Sequence, residues 1–304
     1  MNYLNLIRYK NLFLIAFVQV LIKYSLFTSF KIETALTNFN FALLVMATLC
    51  IAAAGNIIND IYDVDIDRIN KPKRVLIGKS ISEKNANYLF IILNVIGVGI
   101  GFYLANTVGK ANFAVLFVII SSLLYIYASY LKAVLIIGNI LVSVLVAMSL
   151  IIVVVFDILP ILSPEISDLY SPVYKIVFDY ALFAFFLNFI REIVKDILDV
   201  NGDKNGEIKS LPIVLGKSRT IKIVFVLGII AVATVTYYMY INLYTNQIAS
   251  FYFLFFIIGP LLLFCIKTWS AKTNKEIQFL SIWLKICMFF GMCSLLLYPF
   301  ILLK

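Results

Sequence analysis

The stretch NFNFALLVMATLCIAAAGNIINDIYDVDIDRINKPKR, residues 38–74, decides the fold. It opens with some twenty predominantly apolar residues, about the length needed to cross the roughly 30 Å hydrocarbon core of a bilayer. It then runs into Asp60, Asp63, Asp65 and Asp67, and on into Arg68, Lys71, Lys73 and Arg74. An apolar run that ends in dense charge reads as a membrane helix delivering a polar segment to the membrane surface.

The remainder of the 304-residue chain repeats the pattern. Hydrophobic residues make up 63% and charged residues 13%, and the mean hydropathy is +1.02, far more apolar than a soluble domain tolerates on its surface. Runs of about 20 apolar residues fall near 11–30, 38–58, 88–106, 112–131, 134–156, 174–195, 221–244, 249–267 and 282–303. They predict an all-α, polytopic membrane protein, a bundle of about nine transmembrane helices forming one domain over residues 1–304. The first run lacks a small-residue cleavage site and reads as a membrane helix rather than a removed signal. Cys50, Cys265, Cys287 and Cys293 lie scattered without CxxC spacing, which suits buried thiols better than a disulfide framework or zinc site. Histidine is absent, so the chemistry rests on carboxylate, Lys, Arg, Tyr, Asn and backbone.

Short cytoplasmic loops carry the excess of positive charge, and here the asymmetry is strong. With the N terminus inside, Arg8 and Lys10, the cluster from Arg68 to Lys84, Lys132, the run from Arg191 to Lys222, and Lys267, Lys272 and Lys275 share one side. The opposite loops hold little beyond Lys31, Lys110 and Lys175, together with Asp157, Glu165 and Asp168. Two long charged loops, about 59–87 and 196–220, are thereby placed in the cytoplasm. The net charge of +9 reads as topology and attraction to anionic lipid, not as nucleic-acid binding.

Both loops obey one spacing rule. Asp60, Asp63 and Asp67 are separated by three and four residues, and Asp196, Asp199 and Asp203 in REIVKDILDVNGDKNGE, residues 191–207, repeat it. At 100° per residue those offsets return to nearly the same side of a helix, stacking each triplet as a row of carboxylates. Matching tails follow, VLIGKS at 75–80 and IVLGKS at 213–218, as expected of two pseudo-equivalent halves facing one site. Stacked like charges repel by a few tenths of a kcal/mol per pair even at an exposed surface. Hard divalent cations offset this, and Mg²⁺ in particular is held through one or two carboxylates plus substrate phosphates. Rows at a membrane boundary flanked by Arg and Lys therefore suit a lipid-tailed diphosphate bridged by Mg²⁺.

Two other readings fail on detail. A calcium EF-hand starting at Asp63 would need Gly and Glu where Arg68 and Arg74 stand, and a P-loop ending at Gly78 or Gly216 would need Gly where Lys73 and Leu211 stand. Asp65 is rotated off the row and reads as solvated charge.

These motifs resemble those of the UbiA superfamily of intramembrane prenyltransferases, over nearly the whole chain. Its signature NDxxDxxxD matches Asn59, Asp60, Asp63 and Asp67, and its DxxxD matches Asp199 and Asp203, with Asp196 just upstream. Within the superfamily, AAAGNIINDIYDVDIDRINKPKR followed by SIS, REIVKD, and the pair Leu211–Pro212 are most similar to the branch that makes ether lipids. Val75, Leu76 and Ile77 stand where prolines are frequent, and Ala128 stands where a YxxxK motif ending at Lys132 would place Tyr. The resemblance implies a nine-helix bundle, Mg²⁺ as cofactor, and a polyprenyl diphosphate and a lipid acceptor as substrates. It implies catalytic roles for Asp60, Asp63, Asp67, Asp196, Asp199 and Asp203, with all but Asp196 as metal ligands. Lys71, Arg74, Lys132, Arg191 and Lys195 are candidate phosphate contacts, with Arg favoured for bidentate geometry. Asn56 and Asn59 could ligate metal or orient a carboxylate without adding repulsion; a helix-capping role competes for Asn59.

The expected chemistry is Mg²⁺-dependent transfer of a geranylgeranyl-type group to geranylgeranylglyceryl phosphate, at the cytoplasmic face of the cell membrane. Prenylation of an aromatic acceptor such as a hydroxybenzoate, naphthoate or chlorin precursor is the alternative within the enzyme class. A secondary transporter is the alternative outside it, disfavoured because the acidic clusters lie at helix ends and intramembrane charge is sparse, Lys23 being the clearest case.

Overall fold

The computed structural model describes residues 1–302. Among the described residues, nine helices are long and apolar enough to cross a membrane. In chain order the spans are Tyr9–Phe27, Asn38–Tyr62, Glu83–Thr107, Ala111–Ser129, Ile137–Asp157, Ser167–Asn205, Lys217–Asn242, Gln247–Ser270 and Asn274–Ile301. Each expected run overlaps one of them; the runs 11–30, 112–131, 134–156 and 221–244 reach two or three residues past a helix end, and the last residue of the run 282–303 falls outside the described residues. Elsewhere the helices overrun the apolar runs because polar residues at their ends continue the backbone ladder. Thr37 and Ser82 cap the second and third spans by accepting from Asn40 N and Asn85 N. Thr273 and Glu276 form a capping box at the ninth, so that helix starts well before its apolar run does.

The bundle closes through small residues. A Cβ on Gly101 would lie 2.3 Å from the Phe117 ring, and one on Gly55 would lie 2.7 Å from the Leu124 side chain. The second, third and fourth spans can approach this closely only because those side chains are missing. Outward, Val95, Phe102, Tyr237, Phe255 and Trp269 are largely exposed, a surface suited to lipid.

Lys23 resolves into a buried pair on the side away from the Asp rows. Its ammonium lies 2.8 Å from Asp157 Oδ2, with side-chain exposures of 6% and 0%, and donates to the Leu36 carbonyl, while Leu36 N donates to Asp157. Removing one partner of such a pair costs about 3–5 kcal/mol, because it strands the other charge. Lys23 is therefore a structural clip between the first two spans and the fifth.

The main departure from expectation is the sixth span. It runs 39 residues without interruption, roughly 58 Å at 1.5 Å per residue, about twice the thickness of the hydrocarbon core. Asp196, Asp199 and Asp203 are therefore carried on a helix and not in a loop, which is confined to Gly206–Ser210 before the short helix Leu211–Leu215. On the first row, the second span ends at Tyr62, Asp63 breaks the helix at φ −91° and ψ 1°, and a short helix Val64–Asn70 follows. The repeated GKS tails also find their reason: Gly78 and Gly216 have φ +78° and +85°, a region L side chains rarely adopt. Gly78 turns the chain back toward Ile81, and Gly216 joins Leu211–Leu215 to the seventh span.

Candidate active site

The short helix Val64–Asn70 packs against the overrunning end of the sixth span, which brings the two Asp rows together. The contact is close because Gly202 faces it; a Cβ there would sit 2.5 Å from Asn70 Nδ2 and 2.6 Å from the Ile66 carbonyl oxygen. Asn70 also donates to the Asp199 carbonyl and accepts from Gly202 N, both at 2.8 Å. Two such bonds contribute about 1–3 kcal/mol and fix the register between the rows.

Charges stitch the same junction. Lys71 Nζ reaches Asp199 Oδ2 at 2.6 Å, linking the first-row segment to the second row. Lys132 pairs with Asp63, and Asn59 Nδ2 donates to the same Asp63 oxygen at 2.7 Å. Arg8 Nη2 lies 2.6 Å from Asp60 Oδ1, and Asn139 Nδ2 donates to Asp196 at 2.7 Å. Among the described residues, the Asp67 and Asp203 carboxyls have no hydrogen-bonding or ion-paired partner. Burial pushes the Asp67 carboxyl above its ordinary range, with Lys71 pulling the other way, as for a carboxylate that lacks a cation of its own.

Lys132 is presented by a strained turn. Ile136 sits at φ +66°, a conformation costing a β-branched residue about 1–3 kcal/mol. A Cβ on Gly138 would lie 3.1 Å from the Lys132 Cα, and Lys209 N donates to the Ala133 carbonyl from the other Asp-bearing half. The turn between the fourth and fifth spans is thereby held against both rows.

All the residues singled out from sequence line one cavity of about 850 Å³: Asn56, Asn59, Asp60, Asp63, Asp67, Lys71, Arg74, Lys132, Arg191, Lys195, Asp196, Asp199 and Asp203. Ile15, Ile51, Phe117, Leu124, Val146 and Ile152 line its apolar part, so a charged end continues into a channel between membrane helices. Asn56 has a different task from the one expected, since its amide donates to the Ile7 carbonyl at 3.0 Å and pins the N-terminal segment. Asn59 orients a carboxylate and caps no helix. Asp65 is 84% exposed and pairs only with Arg68.

Five lining residues escape a reading of sequence: Arg8, Asn70, Asn139, Glu192 and Lys285. Glu192 binds both Arg191, at 3.3 Å, and Lys195, at 2.7 Å. It stands one turn before Asp196, and that position beside two cations was its only signal. The others stand alone among apolar or polar neighbours and signal nothing by spacing.

Among the described residues, no three His, Cys, Asp or Glu side chains converge closely enough to hold a metal ion by themselves. The donor set nevertheless fits Mg²⁺. It offers hard carboxylate oxygens on two walls, two of them unpaired, beside a cavity wide enough to admit further oxygen ligands. Mg²⁺ takes only one or two carboxylates where substrate phosphates complete its shell.

Known proteins agree with this geometry. The profile of the UbiA prenyltransferase family matches residues 20–291. The chain is 29% identical over 236 residues to digeranylgeranylglyceryl phosphate synthase of Methanosphaera stadtmanae, covering 77% of this chain and 78% of that one. A solved digeranylgeranylglyceryl phosphate synthase superposes with a TM-score of 0.65 at 27% identity, covering 98% and 97% of the two chains. A UbiA homologue from Archaeoglobus fulgidus, solved with DMAPP and Mg²⁺, superposes with a TM-score of 0.59 at 17% identity over 97% and 99%, and at that identity shares the fold alone.

Proposed function

The chain belongs to the UbiA prenyltransferase family, and from that premise we propose that it transfers a geranylgeranyl-type group from its diphosphate to geranylgeranylglyceryl phosphate, forming an ether. It is a multi-pass membrane protein and a prenyltransferase, so the transporter reading falls. The observation that carries the proposal is the junction of two Asp rows, clipped by Asn70 and Gly202, at the charged end of a cavity that turns apolar. A diphosphate fits the charged end and its polyprenyl tail the apolar one. The relatedness to digeranylgeranylglyceryl phosphate synthases supports the acceptor.

Asp60, Asp63, Asp67, Asp199 and Asp203 would hold Mg²⁺, with Asn59 aligning Asp63 and Asn139 aligning Asp196. When bound, the metal neutralises negative charge developing on the departing diphosphate. Lys71 and Arg74 from one turn and Lys132 from another offer further donors to phosphate oxygens. In the reaction the allylic C1–O bond to diphosphate breaks and the acceptor hydroxyl oxygen bonds to C1. The hydroxyl proton leaves to a carboxylate or diphosphate oxygen, and the products are the ether and diphosphate. The proton departs late, because an oxygen bonding to a carbocation becomes strongly acidic and no histidine is present to remove it earlier.

The acceptor reading is tested by comparing geranylgeranylglyceryl phosphate with its dephosphorylated alcohol. Loss of a charge-assisted anchor predicts a kcat/KM for the alcohol lower by about 100-fold. Equal use of both, or efficient prenylation of 4-hydroxybenzoate, would overturn it. The Lys and Arg asymmetry supports a cytoplasmic site. Cysteines placed at Ser80 and Ser218, in a background without the native four, should react with an impermeant thiol reagent only in permeabilised cells; labelling in intact cells would reverse the topology.

A further inference from the structure

The cavity is lined by an acidic group and a basic group of side chains, and the proposed reaction has two phosphate groups to place. The acidic group is built from the second span, the helix Val64–Asn70 and the end of the sixth span. Arg191 and Lys195, earlier on the sixth span, and Lys285 from the ninth line the same cavity. Glu192 is the one carboxylate bound to this basic group, which therefore carries three cations to one anion. Its surplus of two matches a phosphomonoester, which bears about −1.5 to −2 at pH 7.

Lys285 is the informative member. It lies in the ninth span, eleven residues after that helix begins at Asn274 and three after its apolar run begins near 282. Ionisable groups within an apolar span are rare and mark substrate or ion sites. Its one hydrogen-bonding partner among the described residues is the neutral amide of Asn11, at 2.5 Å. An ammonium has three N–H donors, so two are left over beside the cavity. The neighbouring charges that weigh most on it, Arg191, Lys195, Lys10 and Arg8, are positive. Arg191 is tied to the same helix one turn away, its Nε donating to the Ser281 carbonyl at 3.3 Å. A half-buried cation near other cations, with donors unfilled, awaits an anion. The leaving diphosphate belongs with the Asp rows, where Lys71 and Lys132 already stand.

We infer that Arg191, Lys195 and Lys285 form a binding site for the phosphomonoester of the acceptor, separate from the diphosphate site. The inference rests on the acceptor reading above. The site holds the non-leaving phosphate at the basic group, while the acceptor hydroxyl faces the prenyl diphosphate at the acidic one. A lipid phosphate acceptor is thereby selected by charge, and a neutral alcohol or an uncharged ring finds no partner.

Purified Lys285→Gln and Lys285→Arg proteins, assayed with geranylgeranyl diphosphate and either acceptor, test this. The Gln variant should raise KM for the phosphorylated acceptor about 30-fold, change the KM for the prenyl diphosphate by less than about threefold, and discriminate poorly between phosphate and alcohol; the Arg variant should restore most of the loss. If Lys285→Gln does not purify as a folded protein, Lys195→Gln gives the same split. Equal losses with the phosphate and the alcohol, or a raised KM for the prenyl diphosphate instead, would show a structural or diphosphate role and overturn the site. A wild-type enzyme that uses both acceptors equally would overturn the acceptor reading and the site with it. A wild-type enzyme that prefers the phosphate, with a Gln variant that keeps the preference, would overturn the site alone.

Discussion

Alanine in place of Asp63 or Asp199 is expected to lower turnover by about 10³-fold, in line with the loss of one preorganised group that stabilises charge in a transition state. The two residues sit on different segments, Asp63 at the break after the second span and Asp199 on the sixth, and bind different lysines, Lys132 and Lys71, yet they line one cavity. Each substitution would remove an oxygen pair proposed to ligate metal and would also free a lysine to swing onto the phosphate in the wrong place. The junction itself should survive, because Asn70 holds the backbone at Asp199 and Gly202 and makes no bond to either carboxylate. The variants should therefore insert and purify normally. Asp65→Ala is the control: its carboxylate is 84% exposed and pairs only with Arg68, so turnover should stay within about twofold of wild type, as for other exposed ion pairs. Near-normal turnover of either the Asp63 or the Asp199 variant at saturating substrates would remove that residue from the site.

The nine spans and both carboxylate rows are legible in the residues alone, because an apolar run of about 20 residues and a three-plus-four spacing are dictated by bilayer thickness and helix pitch. The end of the sixth span is not. A sequence such as KDILDVNGDKN is polar enough to be a loop, and it stays helical because Gly202 lets Val64–Asn70 dock on it and Asn70 bonds its backbone. Such a tertiary contact has no period to read. The paired Asp rows were visible as a repeat, while Lys71 and Lys132 were legible as candidate phosphate contacts but not as the partners of Asp199 and Asp63. Asn56 matched the pattern of a site amide, but a carbonyl from the N-terminal segment claims it. Lys285 was hidden by its surroundings. A single lysine in an apolar run is indistinguishable by composition from a residue snorkelling to the surface, and only the packing of the first, sixth and ninth spans shows it bonded to Asn11 and lining the cavity with Arg191.

Removing divalent metal is expected to abolish transfer and diphosphate binding together. Six aspartates around one cavity face a substrate that is itself strongly anionic. Three of them are offset by Arg8, Lys132 and Lys71, while Asp67 and Asp203 have no partner among the described residues. Without a divalent cation the diphosphate would meet net repulsion, and like charges a few ångströms apart in a partly desolvated site cost several kcal/mol. With it, metal and phosphate oxygens complete each other's coordination. The most direct test is equilibrium binding of labelled geranylgeranyl diphosphate to the purified wild-type, Asp63→Ala and Asp199→Ala proteins, with Mg²⁺ and with excess chelator. Wild-type binding should weaken at least about 100-fold in chelator and return on adding Mg²⁺, and each alanine variant should bind weakly even with Mg²⁺ present. Tight binding by the wild type in chelator, or Mg²⁺-dependent binding that survives loss of either aspartate, would contradict a site in which both rows grip the diphosphate through metal.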